Sequence, residues 1–244
     1  MKRKSLLNGV LVAPYGKDVS TFQEELIAWI EECGGQFEPL FRENNQQNVI
    51  YKSAFHSTIL SKEEDKRFFL RKVWEPFKHE AGVIMMNPSR STHLLSDGTV
   101  DFLIEYLSQA KPELDYGSLT VVNLSPVIKG SNAGENERDF PPDDESNNAF
   151  ILEMIKNAKI IILGWGMMGQ LKGIPNLSPE VVIALHKART KLRVFSLKKT
   201  RKNSRDIWYV AHPKPQGGPD RGFGLSHKLE KLTDDQLNLL LNEN

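Results

Sequence analysis

The sequence predicts a three-layer α/β/α domain built on a central, mainly parallel sheet. From Gly82 onward, short apolar runs alternate with segments of helical spacing, the signature of strand–helix–strand units. The runs stop abruptly on turn residues. Val83–Met86 ends at Asn87-Pro88-Ser89, and Pro88 has no N–H to give to a sheet ladder. Each run also delivers a polar or aromatic residue to its carboxyl tip, the end of a parallel strand where open α/β sheets bind ligands.

The elements follow in order. Leu6 to Ala13 reads as a strand closed by Pro14-Tyr15-Gly16. Thr21 to Cys33 has helical spacing, with Phe22, Leu26, Ile27 and Ile30 on one face and Gly34-Gly35 as its stop. Residues 1–45 are taken as an N-terminal extension of strand and helix, and residues 46–244 as the main domain. Val49 to Leu60 alternates as a strand, and Phe68 to Trp74 is expected to pair with it as a hairpin across SKEEDK. After strand Val83–Met86, Asp97-Gly98-Thr99 starts a helix over Val100–Gln109. Strand Leu119–Leu124, helix Glu145–Asn157, strand Ile160–Trp165 and helix Ser178–Thr190 come next. Strands Leu192–Leu197 and Ile207–Ala211 complete the sheet, and Thr233 caps a terminal helix to Leu241, with Asp234 and Asp235 in its first turn.

The chain has 244 residues, 26% of them charged, and a net charge of +1, so global charge neither supports nor excludes a nucleic-acid partner. The single cysteine, Cys33, rules out an internal disulfide or a cysteine-cluster metal site. No metal or cofactor is expected. No apolar run approaches membrane-spanning length, and MKRKSLLNGVLVAPYG lacks a long apolar region and a small-residue cleavage site. The expectation is a cytoplasmic protein, monomeric and without a membrane partner.

The successive tips present Asn87, Asn123, Trp165 and His212. Singly, each has a plain structural explanation: a turn cap, a core indole, a satisfied strand-end histidine. Together on one rim they make a site. Asn offers a donor and an acceptor side by side, suited to a base edge; His can support a developing anion; Trp offers a stacking surface.

The ordered set MNPS, VVNLSP, LGWG and AHPKP resembles the uracil-DNA glycosylase superfamily, nearest its mismatch-specific and single-strand-selective branches with their NPG-type and HPSP-type motifs. It is still more similar to the uncharacterised family called domain of unknown function 1643. Asp97-Gly98-Thr99, Ser146-Asn147-Asn148 and Trp165-Gly166 match that family's further steps, over about Phe68 to Gly218. The resemblance implies a uracil-DNA-glycosylase-like fold and hydrolysis of an N-glycosidic bond. It puts Asn87 where the attacking water is positioned, Asn123 where the pyrimidine edge is read, and His212 where charge on the departing base is supported. Asp97 is the nearest candidate for a general base. Met86, Pro88, Ser89, His93, Asn123 and Trp165 are the candidate substrate-binding residues. Pro213 to Gly218, with Lys214, Gln216 and Gly217, would be the loop against a DNA backbone. Ser89 stands where those glycosylases keep Gly, Lys214 where they keep Ser, and no Phe, Tyr or Trp lies between Asn87 and Thr99, so His93 is the candidate for stacking. These departures point away from plain uracil and leave three options for the pocket: a modified base, a nucleotide, or nothing catalytic.

Lys187 to Arg205 is strongly basic, and Lys198, Lys199, Arg201 and Lys202 are its candidate phosphate contacts. The partner expected is DNA or a nucleotide. The alternatives are a non-catalytic nucleic-acid or nucleotide-binding module, and a small-molecule hydrolase or transferase.

Overall fold

The computed structural model describes residues 6–7, 10–11, 41–44, 48–52, 56–89, 96–109, 115–129, 140–141, 144–202, 204–213 and 223–242. In chain order its elements are β1 (Leu6–Leu7), β2 (Val10–Leu11), β3 (Phe41–Asn44), β4 (Asn48–Lys52), β5 (Ser57–Ser61), β6 (Arg67–Val73), β7 (His79–Met85), α1 (Gly98–Leu107), β8 (Tyr116–Asn123), α2 (Glu145–Asn157) and β9 (Ile160–Leu163). A short α3 (Gly166–Met168) runs on as a π turn to Gly173 and a 3-10 turn to Asn176. Then come α4 (Pro179–Lys187), β10 (Leu192–Val194), β11 (Leu197–Lys202), β12 (Arg205–Val210) and α5 (Asp234–Asn242).

An eight-stranded sheet has the order β10-β9-β7-β8-β6-β5-β4-β3. Its half nearest β10 is parallel, as expected: β10, β9, β7 and β8 run the same way. The other half, β6 to β3, is an antiparallel meander. Short links explain the difference, because only antiparallel neighbours can be joined by tight turns, whereas parallel strands need a crossover. The single strand expected over Val49–Leu60 is two, β4 and β5, which pair with each other. The hairpin across SKEEDK forms between β5 and β6, with Glu64 at φ 57° in its turn. β3 lies on the extension's side of residue 45 yet pairs with β4 in the main sheet. The expected strand Leu6–Ala13 is two two-residue strands paired with each other. The helix expected over Thr21–Cys33 lies outside the described residues.

One strand is corrected outright. The segment expected to close the parallel sheet, Ile207–Ala211, instead belongs to β12, which pairs antiparallel with β11 in a separate ribbon. Only residues 203 and 204 join the two, with Ser204 at φ 64°. A two-residue link permits a hairpin and nothing else.

The layers follow from strand alternation. Ile84, Val122, Ile161 and Leu163 face α2, α4 and α5, meeting Ile151, Met154, Val181, Leu185, Leu237 and Leu240. Ala81, Val83, Met85, Leu119, Val121 and Ile162 face α1, meeting Val100, Leu103, Ile104 and Leu107. Helices thus cover both faces of the parallel half. The four longer helices, α1, α2, α4 and α5, start on side chains that satisfy otherwise orphaned N–H groups. Asp97 accepts from Thr99 and Val100, Asp144 from Asn147, and Ser178 from Val181. Thr233 and Gln236 cap each other reciprocally at α5, Thr233 Oγ1 accepting from the Gln236 N–H and Gln236 Oε1 from the Thr233 N–H.

Gly117 on β8 lies directly under the turn at Glu75. A Cβ there would overlap the Glu75 carbonyl oxygen and sit 2.8 Å from Lys78 Cβ. The turn cannot easily retreat, because Trp74 and Glu75 both donate their N–H groups to the Gly117 carbonyl, at 2.8 and 3.0 Å. Gly117→Ala is expected to lower stability by about 1–3 kcal/mol, read as a lower urea midpoint; an unchanged midpoint would refute the close approach.

Candidate functional site

Three parallel strand tips are laced together by backbone hydrogen bonds. Leu124 N donates to Met85 O at 2.9 Å, Ser125 N to Met86 O at 3.0 Å, and Gly164 N to Ile84 O at 2.9 Å. Asn123 ends β8 opposite Met85 at the end of β7. By alternation Asn123 shares the α1 face with Val121 and Met85. The next tip presents Gly164, where a Cβ would lie 2.8 Å from Pro213 Cδ and 3.1 Å from Met85 Sδ. The missing side chain leaves the space that Pro213 fills. His212 Cβ is 3.8 Å from where a Cβ on Gly166 would be, and Gly166 has φ 70°. The chain leaving β12 therefore reaches the same rim although β12 is outside the sheet.

Asn123 is the distinctive group. It is 0% exposed, and among the described residues neither its Oδ1 nor its Nδ2 has a hydrogen-bond partner. Nearby, Asn147 at the start of α2 donates from Nδ2 to Asn123 O at 3.0 Å and towards Leu124 O at 3.4 Å. These two carbonyls fix the orientation of that amide, and its Oδ1 is left without a partner among the described residues.

Asn87 does different work. Its Nδ2 donates to Pro88 O and Lys129 O, both at 3.1 Å, and Lys129 N donates back to Pro88 O at 3.1 Å. The amide thereby clips the segment after β7 to the segment after β8, which leaves its carbonyl oxygen as the atom not used in the clip. Ser89 Oγ donates to Asp97 Oδ2. Asp97 Oδ1 is engaged by the first N–H groups of α1. Pro88 is buried; Met86, Ser89, Asp97 and His212 are half-buried. Met86 packs against the core on the α2 face.

Trp165 is a core residue, 1% exposed. Its indole N–H is satisfied by Gln170 Oε1 at 3.1 Å, and Gln170 Nε2 donates to Leu240 O at 2.7 Å. The ring is closed in by Gly169, whose Cβ, if present, would be 2.7 Å from Trp165 Cβ. No open face remains for stacking. His93, Lys214, Gln216 and Gly217 lie outside the described residues.

Two buried cations escaped the sequence reading. Arg67 is 2% exposed and Lys72 0%. Burial pushes Lys72 down to about 7, opposed by the charge of Asp101 and then, more weakly, of Asp97, with Arg67 adding to the depression. Burial lowers Arg67 to about 10, opposed by Asp97. A charged residue in an alternating strand normally marks the wet side. The available signal was phase: Lys72 is two residues beyond the core residue Leu70 and shares its face. β6 runs antiparallel to β8, so Arg67, at its start, lies beside the β8 tip, and Arg67 N donates to Pro126 O at 2.8 Å.

The basic segment is divided between elements. Lys198, Lys199, Arg201 and Lys202 fall on β11, where Lys199 pairs with Asp206 at 2.6 Å and sits 5.3 Å from the Trp208 ring centre. Among the described residues, no group of three His, Cys, Asp or Glu side chains is placed to hold a metal, and no helix is long and apolar enough to cross a membrane.

These features define a three-layer α/β protein with a buried polar cluster at the carboxyl tips of its parallel strands. Residues 67–206 match the family described as protein of unknown function (DUF1643), and the chain belongs to that family. No curated protein and no solved structure matches it.

Lys72 gives a pH signature. Its folded value of about 7 lies below the ordinary 10.5. Between these limits the unfolded chain binds more protons than the native one, so stability rises with pH across that window and is flat below it. Urea unfolding should show a gain of a few kcal/mol from neutral pH towards pH 10. Lys72→Met should flatten that rise; an equal rise in the variant would refute the assignment.

Proposed function

We propose that this protein is a glycosylase-like enzyme that hydrolyses the N-glycosidic bond of a base in DNA or in a nucleotide, with Asn123 reading the base edge. The observation that carries the reading is the Asn123 amide, fully buried with donor and acceptor both unpartnered among the described residues. Leaving such a group unsatisfied costs about 1–3 kcal/mol, and folds retain that cost where a function depends on it. A side-by-side donor and acceptor complements the edge of a nucleobase. Because Asn123 is sealed from solvent, the base enters only when a neighbouring segment moves, consistent with a nucleotide rotated out of its stack.

The chemistry uses the surrounding rim. As the C1′–N bond breaks, the base departs with the bonding pair and the sugar becomes oxocarbenium-like; water oxygen adds to C1′ and its proton ends on the base or solvent. His212 would donate to the departing base, and the Asn87 carbonyl oxygen would hold the water. Asp97 would act through Ser89, its hydrogen-bond partner. Lys72 on the α1 face and Arg67 beside the β8 tip would add positive potential to the rim.

A non-catalytic base-binding module is the second reading. It is favoured by the engagement of Asn87 Nδ2 and of both Asp97 oxygens in holding the local backbone and Ser89.

Asn123→Leu separates function from folding. It removes an unpaired amide at nearly constant volume, so stability should hold or rise by about 1 kcal/mol, read as the urea midpoint. Abasic-site formation on duplexes carrying modified bases should fall at least roughly 100-fold. A wild-type protein that binds bases but cleaves none of them establishes the second reading. A marked loss of stability in Asn123→Leu would mean that the amide serves the fold.

A further inference from the structure

The β11–β12 ribbon carries its charges unevenly, and the pairing register shows how. Leu197 faces Val210, Lys198 faces Tyr209, Lys199 faces Trp208, Thr200 faces Ile207, Arg201 faces Asp206 and Lys202 faces Arg205. Directly opposed residues share a face, and alternate pairs take alternate faces. One face therefore holds Leu197, Val210, Lys199, Trp208, Arg201 and Asp206. At the ribbon's root this face is committed to the core through Val210 and Leu197. Towards the tip it carries the ribbon's one acid, Asp206, neutralised by Lys199. The opposite face holds Lys198, Tyr209, Thr200, Ile207, Lys202 and Arg205, three cations and no acid. At the tip, Lys202 and Arg205 are both exposed, face each other, and form no ion pair with any described residue.

We propose that this second face is a docking surface for double-stranded DNA, with Lys202 and Arg205 contacting backbone phosphates and Lys198 extending the line towards the root. Two like charges placed directly opposite in a hairpin repel, which destabilises the isolated ribbon. A polyanion relieves that repulsion. The shape agrees with the occupant: two strands about 4.8 Å apart fit a B-form major groove about 12 Å wide. The ribbon is six residues long, or roughly 20 Å at the rise of an extended strand, enough to follow several phosphates. Arg205 closes the basic run in the sequence but is not among its candidate phosphate contacts, whereas Lys199, which is, lies on the other face in an ion pair.

The test is fluorescence anisotropy of the full chain with a labelled DNA duplex and with the same strand alone, across a salt series. It reads binding and not cleavage, so it stands whether or not the protein is a glycosylase. For wild type, three phosphate contacts predict a slope of log affinity against log salt near −3 on the duplex. Lys202→Gln with Arg205→Gln should reduce the slope by about 2. Lys199→Gln with Arg201→Gln removes the same net charge from the other face and should change it by about 1 or less. Circular dichroism of each variant confirms that the fold is retained. Equal losses from the two faces, preference for the single strand, or retention by anionic vesicles but not by DNA would each overturn the proposal.

Discussion

Asn123 and Met85 are register partners at the ends of adjacent parallel strands, and the site depends on that pairing. Side chains alternate, so a slip of one residue between β7 and β8 would turn Asn123 from the α1 face to the α2 face. The same strand also marks where the sheet changes character. β8 is parallel to β7 on one side and antiparallel to β6 on the other. The start of β6 must then lie beside the end of β8, which is how a residue as distant in sequence as Arg67 comes to the rim. Asp97 arrives by a different route, as the cap of the helix that covers this face. One register thus gathers groups from three separate parts of the chain.

The face that receives them is otherwise the apolar core beneath α1, and this creates the main energetic tension in the fold. Lys72 lies in phase with Leu70 in a layer where Leu103, Leu107 and Leu119 are fully buried. A charge in such surroundings is stable only when opposed, and Asp101 and Asp97 oppose it, yet burial remains the larger effect. Asn123 adds an amide with no partner among the described residues. A hydrophobic residue at either position would satisfy the core better. Retaining them is intelligible if the α1 side of the rim is polarised for a ligand, and this is the physical link between the buried charges and the base-binding role proposed for Asn123.

Much of this was legible in the sequence where local chemistry alone decides. Asp97 and Ser178 announce helix starts because a short polar side chain before an apolar-periodic segment has an N–H to satisfy. Helix Glu145–Asn157 is found with the bounds expected of it. The runs at Val83, Leu119 and Ile160 became buried parallel strands because their apolar side chains point to both faces, as strands covered by helices on both sides require. What stayed hidden depends on partners distant in sequence. Whether Trp165 stacks on a ligand or fills the core is decided by Gln170 and Leu240, and the indole alone carries no mark of either. The use of the Asn87 donors was equally hidden, because they are taken by carbonyls that include Lys129, 42 residues on. The pairing of β12 with β11 was obscured by charge. LKKTRK does not read as a strand, since its cations need no partner face when the whole ribbon stands outside the sheet.

That ribbon is fixed relative to the rim. Ala211 N donates to Ser196 O at 2.9 Å, continuing the pairing past Leu197 and Val210. The next two residues are His212 and Pro213, and Pro213 is seated over Gly164. Only Ala211 separates the last ribbon residue from His212, and its backbone is hydrogen-bonded. The ribbon therefore cannot swing as a free hairpin without disturbing Pro213. A duplex lying along Lys202 and Arg205 would be presented to the rim in a set direction, with the root of the ribbon closest to His212. Binding energy from phosphates would then serve to place one nucleotide, since rigid coupling converts remote contacts into orientation at the reacting bond. A flexible tether would give affinity without that placement, so the hydrogen bond at Ala211 is as much a part of the proposed site as the side chains beyond it.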